Sequence, residues 1–184
     1  MKPPHFLIFA RPRSRTAWLA NFLTYGDAFC LHEPLAEHAT LQELARVLDR
    51  PFRFGADVQR IGFADTSLIH NPDGALDAFP SARVLFLRSS RRSWERFVRT
   101  SRLPHEIASL VDLAYARADA RLTGRAHYLD AEELTLDSRA ARVAWEITGS
   151  RKPFPVERWR ALARLNVQID AGGLAERIRR IGSS

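Results

Sequence analysis

The feature that most constrains this chain is a short apolar run, Phe6 to Ala10, bounded by Pro3 and Pro4 before it and by Pro12 after it, which gives way at once to a different periodicity. Five consecutive apolar residues suit a strand buried on both faces, as inside a parallel sheet. After it, Trp18, Leu19, Phe22 and Leu23 recur at helical spacing, so the pattern predicts a helix over about Arg15 to Tyr25 with one apolar face. Between the two lies a basic, hydroxyl-bearing loop, Arg11 Pro12 Arg13 Ser14 Arg15 Thr16. Backbone N–H groups at a helix start, the hydroxyls of Ser14 and Thr16 and the charge of Arg13 together suit a bound phosphate.

The same unit of strand, polar loop and helix recurs. Arg83 to Leu87 reads as a second core strand ending at Arg88 Ser89 Ser90, where a serine caps a helix carrying Trp94, Phe97 and Val98. Ala28 to Leu31 runs into His32 Glu33 Pro34, where proline ends the pairing and leaves polar groups at the strand's carboxyl end. Thr40 and Glu43 form a capping box for a helix with Leu41, Leu44, Ala45 and Leu48 on its inner face. Arg60 to Ala64 is a weaker strand, and Asn71 Pro72 opens a helix with Ala75, Leu76 and Phe79 turned inward. Pro104 begins a long helix to about Arg121, and His127 to Leu129 is a further strand followed by an acidic helix start at Asp130 to Glu133. Helices over Ser138 to Thr148, Pro155 to Leu165 and around Leu174, Ile178 and Ile181 complete the chain. This alternation predicts a three-layer α/β fold, a mainly parallel sheet flanked by helices, with ligands at the strands' carboxyl ends. At 184 residues it reads as one domain over residues 1–184.

Composition adds a charge argument. The net charge is +7, and only Lys2 and Lys152 among the basic residues are lysine. Arginine's planar fork matches phosphate and sulfate oxygens, which favours an anionic ligand or a nucleic-acid partner. The lone Cys30, inside an apolar run, forms no disulfide within the chain and fits a reducing compartment. The N-terminal apolar run is too short for a signal-peptide core or a membrane span, so the expectation is a soluble, cytoplasmic protein.

A Walker A loop needs glycines and a lysine before its hydroxyl residue, and this loop has neither, which argues against an ordinary ATPase or GTPase. Instead, Arg13 Ser14 Arg15 Thr16 Ala17 Trp18 after a first strand resembles the 5′-phosphosulfate-binding loop of the sulfotransferases that use PAPS (3′-phosphoadenosine 5′-phosphosulfate). The likeness is to the bacterial and carbohydrate type, and it implies a P-loop NTPase-like fold. It also implies that Arg13 contacts the transferred sulfate, that Ser14, Arg15, Thr16 and Ala17 surround the 5′-phosphate, and that Trp18 stacks near the adenine. Arg15 stands where the family usually has glycine.

Val84 to Arg88 resembles the family's strand whose terminal arginine binds the 3′-phosphate; the serine usual eight positions later is Arg96 here, with Ser93 close by. His32 Glu33 Pro34 resembles the family's Glu-Pro element, which makes Glu33 the implied catalytic base, with His32 and His70 as substitutes. Ser150 Arg151 Lys152 Pro153 resembles the family's C-terminal basic loop, and no metal is implied.

The reading is therefore a sulfotransferase moving a sulfuryl group from PAPS to a hydroxyl or amine, on a small-molecule or carbohydrate acceptor. A divergent P-loop kinase, with Asp65 as its obvious magnesium ligand, is the alternative enzyme. An arginine-rich nucleic-acid-binding module ranks third, because the arginines are spread through helices instead of interleaved with aromatics. Selection of the acceptor falls to the loops Ala36 to Thr40 and Arg99 to Glu106, and the sequence is compatible with a monomer or a homo-oligomer.

Overall fold

The structure, a computed structural model, describes residues 5–36, 40–48, 58–150 and 152–165. Five strands, β1 Phe6–Ala10, β2 Ala28–His32, β3 Arg60–Asp65, β4 Arg83–Arg88 and β5 His127–Asp130, form one sheet in the order β2-β3-β1-β4-β5. Every neighbouring pair is parallel, so the sheet expected to be mainly parallel is wholly so among the described residues. All five carboxyl ends consequently open on one edge. The chain leaves β1 toward β2 and later passes from β3 across β1 to β4, which makes β1 the point where the two halves of the sheet diverge.

β1 shows why an unbroken apolar run was needed, since all five of its side chains are fully buried. Phe6, Ile8 and Ala10 face a layer built on α1 Thr16–Leu23, α6 Ser138–Ile147 and α7 Val156–Ala163. Leu7 and Phe9 face the other layer, with α2 Leu41–Leu48, α3 Pro72–Ala78, α4 Arg91–Thr100 and α5 His105–Leu122. Period-two alternation on a central strand thus feeds two cores at once.

Caps follow the sequence signals. Thr40 Oγ1 accepts the Glu43 N–H at 3.1 Å, Asn71 Oδ1 that of Gly74 at 2.9 Å, and Ser90 Oγ that of Ser93 at 3.2 Å. One boundary differs from expectation: Asp130 to Glu133 does not start a helix. A 3-10 turn at Glu133–Thr135 comes first, and α6 begins only where the Asp137 carboxylate accepts the Arg139 N–H at 2.8 Å. The segment around Leu174, Ile178 and Ile181 lies outside the described residues.

At the sheet's amino edge, the buried Arg60 pairs with Asp27 at 2.5 Å and reaches the Thr148 carbonyl and the Ser150 hydroxyl at 3.4 and 3.3 Å. The hydrogen bond from Arg60, working against desolvation, holds the Asp27 carboxyl below its ordinary pKa. Ser150 and Lys152, offered by the family resemblance as part of a ligand-binding loop, therefore sit at the edge opposite the strands' carboxyl ends. Trp145 fixes them there by donating its indole N–H to the Lys152 carbonyl at 2.9 Å.

Candidate functional site

The loop after β1 closes on a Ser14 N–H bond to the Arg11 carbonyl at 3.3 Å. Arg13 and Arg15 take left-handed φ angles of 68° and 57°. Position 15 thus has the backbone that glycine adopts freely, and arginine accepts it at a cost of about 1 kcal/mol or more. Arg15 stands at the N-cap of α1 without a capping side-chain bond, so the first-turn N–H groups of that helix have no side-chain partner from it. Ser14 beside it is fully buried, and its hydroxyl has no hydrogen-bond partner. An unbonded buried hydroxyl costs about 1–3 kcal/mol, which an anion's oxygen in the loop would offset.

Across the loop, Thr16 Oγ1 lies 3.2 Å from His32 Nε2, and His32 Nε2 lies 3.8 Å from Glu33 Oε1. Glu33 is buried at a left-handed φ of 54° and accepts the Thr66 hydroxyl at 3.0 Å. The loops after β1, β2 and β3 therefore meet in one chain of polar side chains: Thr16, His32, Glu33 and Thr66. The elbow carrying Glu33 is pinned from β3, where fully buried Asp65 accepts the Leu35 N–H through one oxygen and the Ser67 N–H through the other, both at 2.8 Å. Burial raises the Asp65 pKa, and these N–H bonds oppose the shift.

The two strand-end arginines beside the loop are both held by α5. Arg11 bonds Asp112 at 3.0 Å with its guanidinium 3.9 Å from the Tyr115 ring centroid; Arg88 bonds Asp119 at 3.2 Å with its guanidinium 4.1 Å from that of Tyr128. Arg13 lies over Phe97 of α4 at 5.4 Å. Arg96 is exposed on the same helix. Ser93 is committed differently from expectation, since it belongs to the α4 cap, where Glu132 Oε1 takes the Ser90 N–H at 3.0 Å and the Ser90 hydroxyl at 2.9 Å. Burial would raise the Glu132 pKa, but hydrogen bonds from Ser93, Asp130 and Ser90 outweigh it and bring the value down to about 2.

Two further expectations are corrected. Trp18 points into the core: its ring stacks on Phe22 at 5.3 Å, its N–H donates to the Leu162 carbonyl at 2.9 Å, and no face is left for an adenine. Ala17 is buried beside it and contributes to the loop only through its backbone. His70 ends the 3-10 turn Thr66–His70, half-buried with its pKa lowered by desolvation, and no hydrogen bond joins it to the Thr16–His32–Glu33 chain among the described residues. Cys30 is buried and desolvation pushes its thiol pKa up, which leaves it inert. Thr66, Asp112, Asp119 and Glu132 escaped the sequence reading as site residues, and Asp65 was read there only as the magnesium ligand of the alternative kinase, not as the anchor of the Glu33 elbow.

No protein-family model and no curated protein sequence matches the chain. Among solved structures, the crystal structure of a sulfotransferase from Alicyclobacillus acidocaldarius is similar, with a TM-score of 0.64 and 14% sequence identity over 100% of this chain and 96% of that one. At that identity the likeness is one of fold. Among the described residues no helix is long and apolar enough to cross a membrane.

Proposed function

We propose that this chain transfers a sulfuryl group from PAPS to a hydroxyl or amine acceptor. The observation that carries the reading is the link from the anion loop through Thr16 and His32 to the buried carboxylate of Glu33. The loop's likeness to the 5′-phosphosulfate loop and the fold shared with a bacterial sulfotransferase support it.

The residues present fit such a donor at its 5′ end. The unbonded Ser14 hydroxyl, the α1 first turn and Arg13 supply donors and charge for the phosphosulfate. At the other end, Arg88 is the residue to hold a 3′-phosphate, with exposed Arg96 nearby in sequence on α4. Its pairing with Asp119 is half-exposed and costs only about 1 kcal/mol or less to exchange. Ser93 adds nothing there, because it is spent on the helix cap.

The donor supplies an activated sulfuryl group: the acceptor oxygen or nitrogen bonds to sulfur as the sulfur–phosphate oxygen bond breaks, and that oxygen keeps the electron pair. Glu33 receives the acceptor's proton. His32, between Thr16 and Glu33, orients that carboxylate relative to the loop. Arg13 and the α1 N–H groups stabilise the charge that develops on the departing phosphate. The kinase reading loses support because both oxygens of Asp65 are taken by backbone N–H groups.

Thermal unfolding with adenosine 3′,5′-bisphosphate tests the proposal. A ligand that binds only the folded state at 100 times its Kd adds about 2.7 kcal/mol, or roughly 5–10 °C for a chain of this size. Protection by the bisphosphate, lost in Arg13→Ala, with Glu33→Gln binding normally but inactive, is the expected pattern. Protection by ATP with magnesium in its place would sink it.

A further inference from the structure

Between α4 and α5, beside the loop after β1, the structure holds an open cavity of about 470 Å³. That volume is in the range of small-molecule sites, roughly 300–1,000 Å³. Arg11, Trp94 and Ala108 line it, so the arginine that follows β1 belongs both to the candidate loop and to the cavity wall. Arg13, from the same loop as Arg11, lies over the Phe97 ring of α4, whose centroid is 5.6 Å from that of Trp94. A group in the cavity beside Arg11 is therefore next to the loop.

The charge of the cavity is uneven. Its two carboxylates are both occupied, Asp112 by Arg11 at 3.0 Å and Glu95 by Arg91 at 2.7 Å. Arg99 and His105, on the opposite rim, have no side-chain hydrogen bond or ion pair among the described residues. The cavity thus joins an apolar wall near the loop to unmatched donors at its far end. The connection between the two helices that supply those donors contains Arg102 at a left-handed φ of 49°. Among the described residues, the other non-glycine positions of this kind are Arg13, Arg15 and Glu33, all on the candidate site's loops.

We infer that this cavity binds the acceptor, and that the acceptor is a small carboxylic acid with a ring or apolar body. Its carboxylate lies on Arg99 and His105, its body packs along the partly exposed Val98 between Arg11 and Arg99, and its hydroxyl or amine faces the loop that carries Arg13. The inference rests on the sulfuryl-transfer reading and gives it a substrate class. Exposed ion pairs are weak one by one, so the two rim donors together amount to about a fivefold preference for the acid over a neutral analogue.

Calorimetric titration of the whole protein with 4-hydroxyphenylacetate and with 4-methylphenol, both in saturating adenosine 3′,5′-bisphosphate, measures that preference. The acid binds about fivefold tighter, and Arg99→Glu removes the preference while bisphosphate affinity stays unchanged. Arg99 is exposed, so the variant folds, and His105→Ala provides a second reading of the same rim. Equal affinity for the two phenols, or a preference untouched by Arg99→Glu, overturns the assignment. Bisphosphate binding is measured first on the same samples; its failure counts against sulfuryl transfer itself, and a lost acid preference with the bisphosphate bound counts against the acceptor class alone.

Discussion

Asp65, at the end of β3, accepts the backbone N–H of Leu35 at 2.8 Å and so fastens the elbow bearing Glu33 to the neighbouring strand. Its second oxygen holds the Ser67 N–H at the same distance. Alanine at this position strands two partly buried donors at about 1–2 kcal/mol each. Asp65→Ala therefore lowers the melting temperature by roughly 5–12 °C for a chain of this size. Asn, keeping one acceptor oxygen, loses less. Because the elbow positions Glu33, kcat falls more than the affinity for the bisphosphate. Thermal melts and a bisphosphate titration check both parts, and an unchanged melt for the alanine variant would remove Asp65 from this role.

Much of this arrangement was legible in the sequence, for physical reasons that also explain the failures. β1 and β4 were readable because a strand buried on both faces must be apolar throughout, and the caps at Asn71 and Ser90 because few residue types bond a helix start. The loops after β1 and β2 followed from the rule that parallel strands share a ligand-binding edge. Trp18 was misplaced because its position in the loop motif and its place in the apolar stripe of α1 gave opposite answers, and burial decided in favour of the stripe. The pairs Arg11–Asp112 and Arg88–Asp119 join residues 101 and 31 positions apart. No local pattern records such contacts, because they depend on where α5 crosses the sheet edge.

Arg15 occupies φ 57° at the point where a glycine would be unstrained. Replacement by alanine keeps the strain and replacement by glycine relieves about 1 kcal/mol of it, partly offset by the freer unfolded chain. Arg15→Gly is thus more stable than Arg15→Ala, by about 0.5–1 kcal/mol. Both retain bisphosphate protection if the loop binds anions through its backbone and Ser14. Paired urea titrations settle the order, and an alanine variant as stable as the glycine one would contradict the left-handed backbone.

Gly62 pairs with Phe6 across β1 and β3, and a Cβ built there would stand 2.2 Å from a Phe6 ring carbon. The ring is fully buried between layers, so it has no room to swing aside. Gly62→Ala costs about 1–3 kcal/mol or more from overpacking. In the Phe6→Leu background the same change costs less, and a double-mutant cycle with no coupling would refute the contact.

The Arg60–Asp27 pair gives a pH dependence with a definite sign. Arg60 holds the folded Asp27 pKa below its ordinary value, so the pair's contribution is complete above the unfolded carboxyl's pKa of about 3.9 and is lost as pH falls through the folded one. The stability gap between the native chain and Asp27→Asn is therefore flat from pH 7 to about pH 5 and narrows below about pH 4. Removing the cation instead leaves Asp27 mostly buried without it, and Arg60→Ala costs about 3–5 kcal/mol at neutral pH. Replacing both by apolar residues of similar volume, Asp27→Leu with Arg60→Met, recovers much of that loss, because no charge is left to desolvate. Urea unfolding of the single and double variants from pH 3 to pH 7 reads all three expectations. A gap between native and Asp27→Asn that widens toward acid would show that the pair does not hold Asp27 ionised.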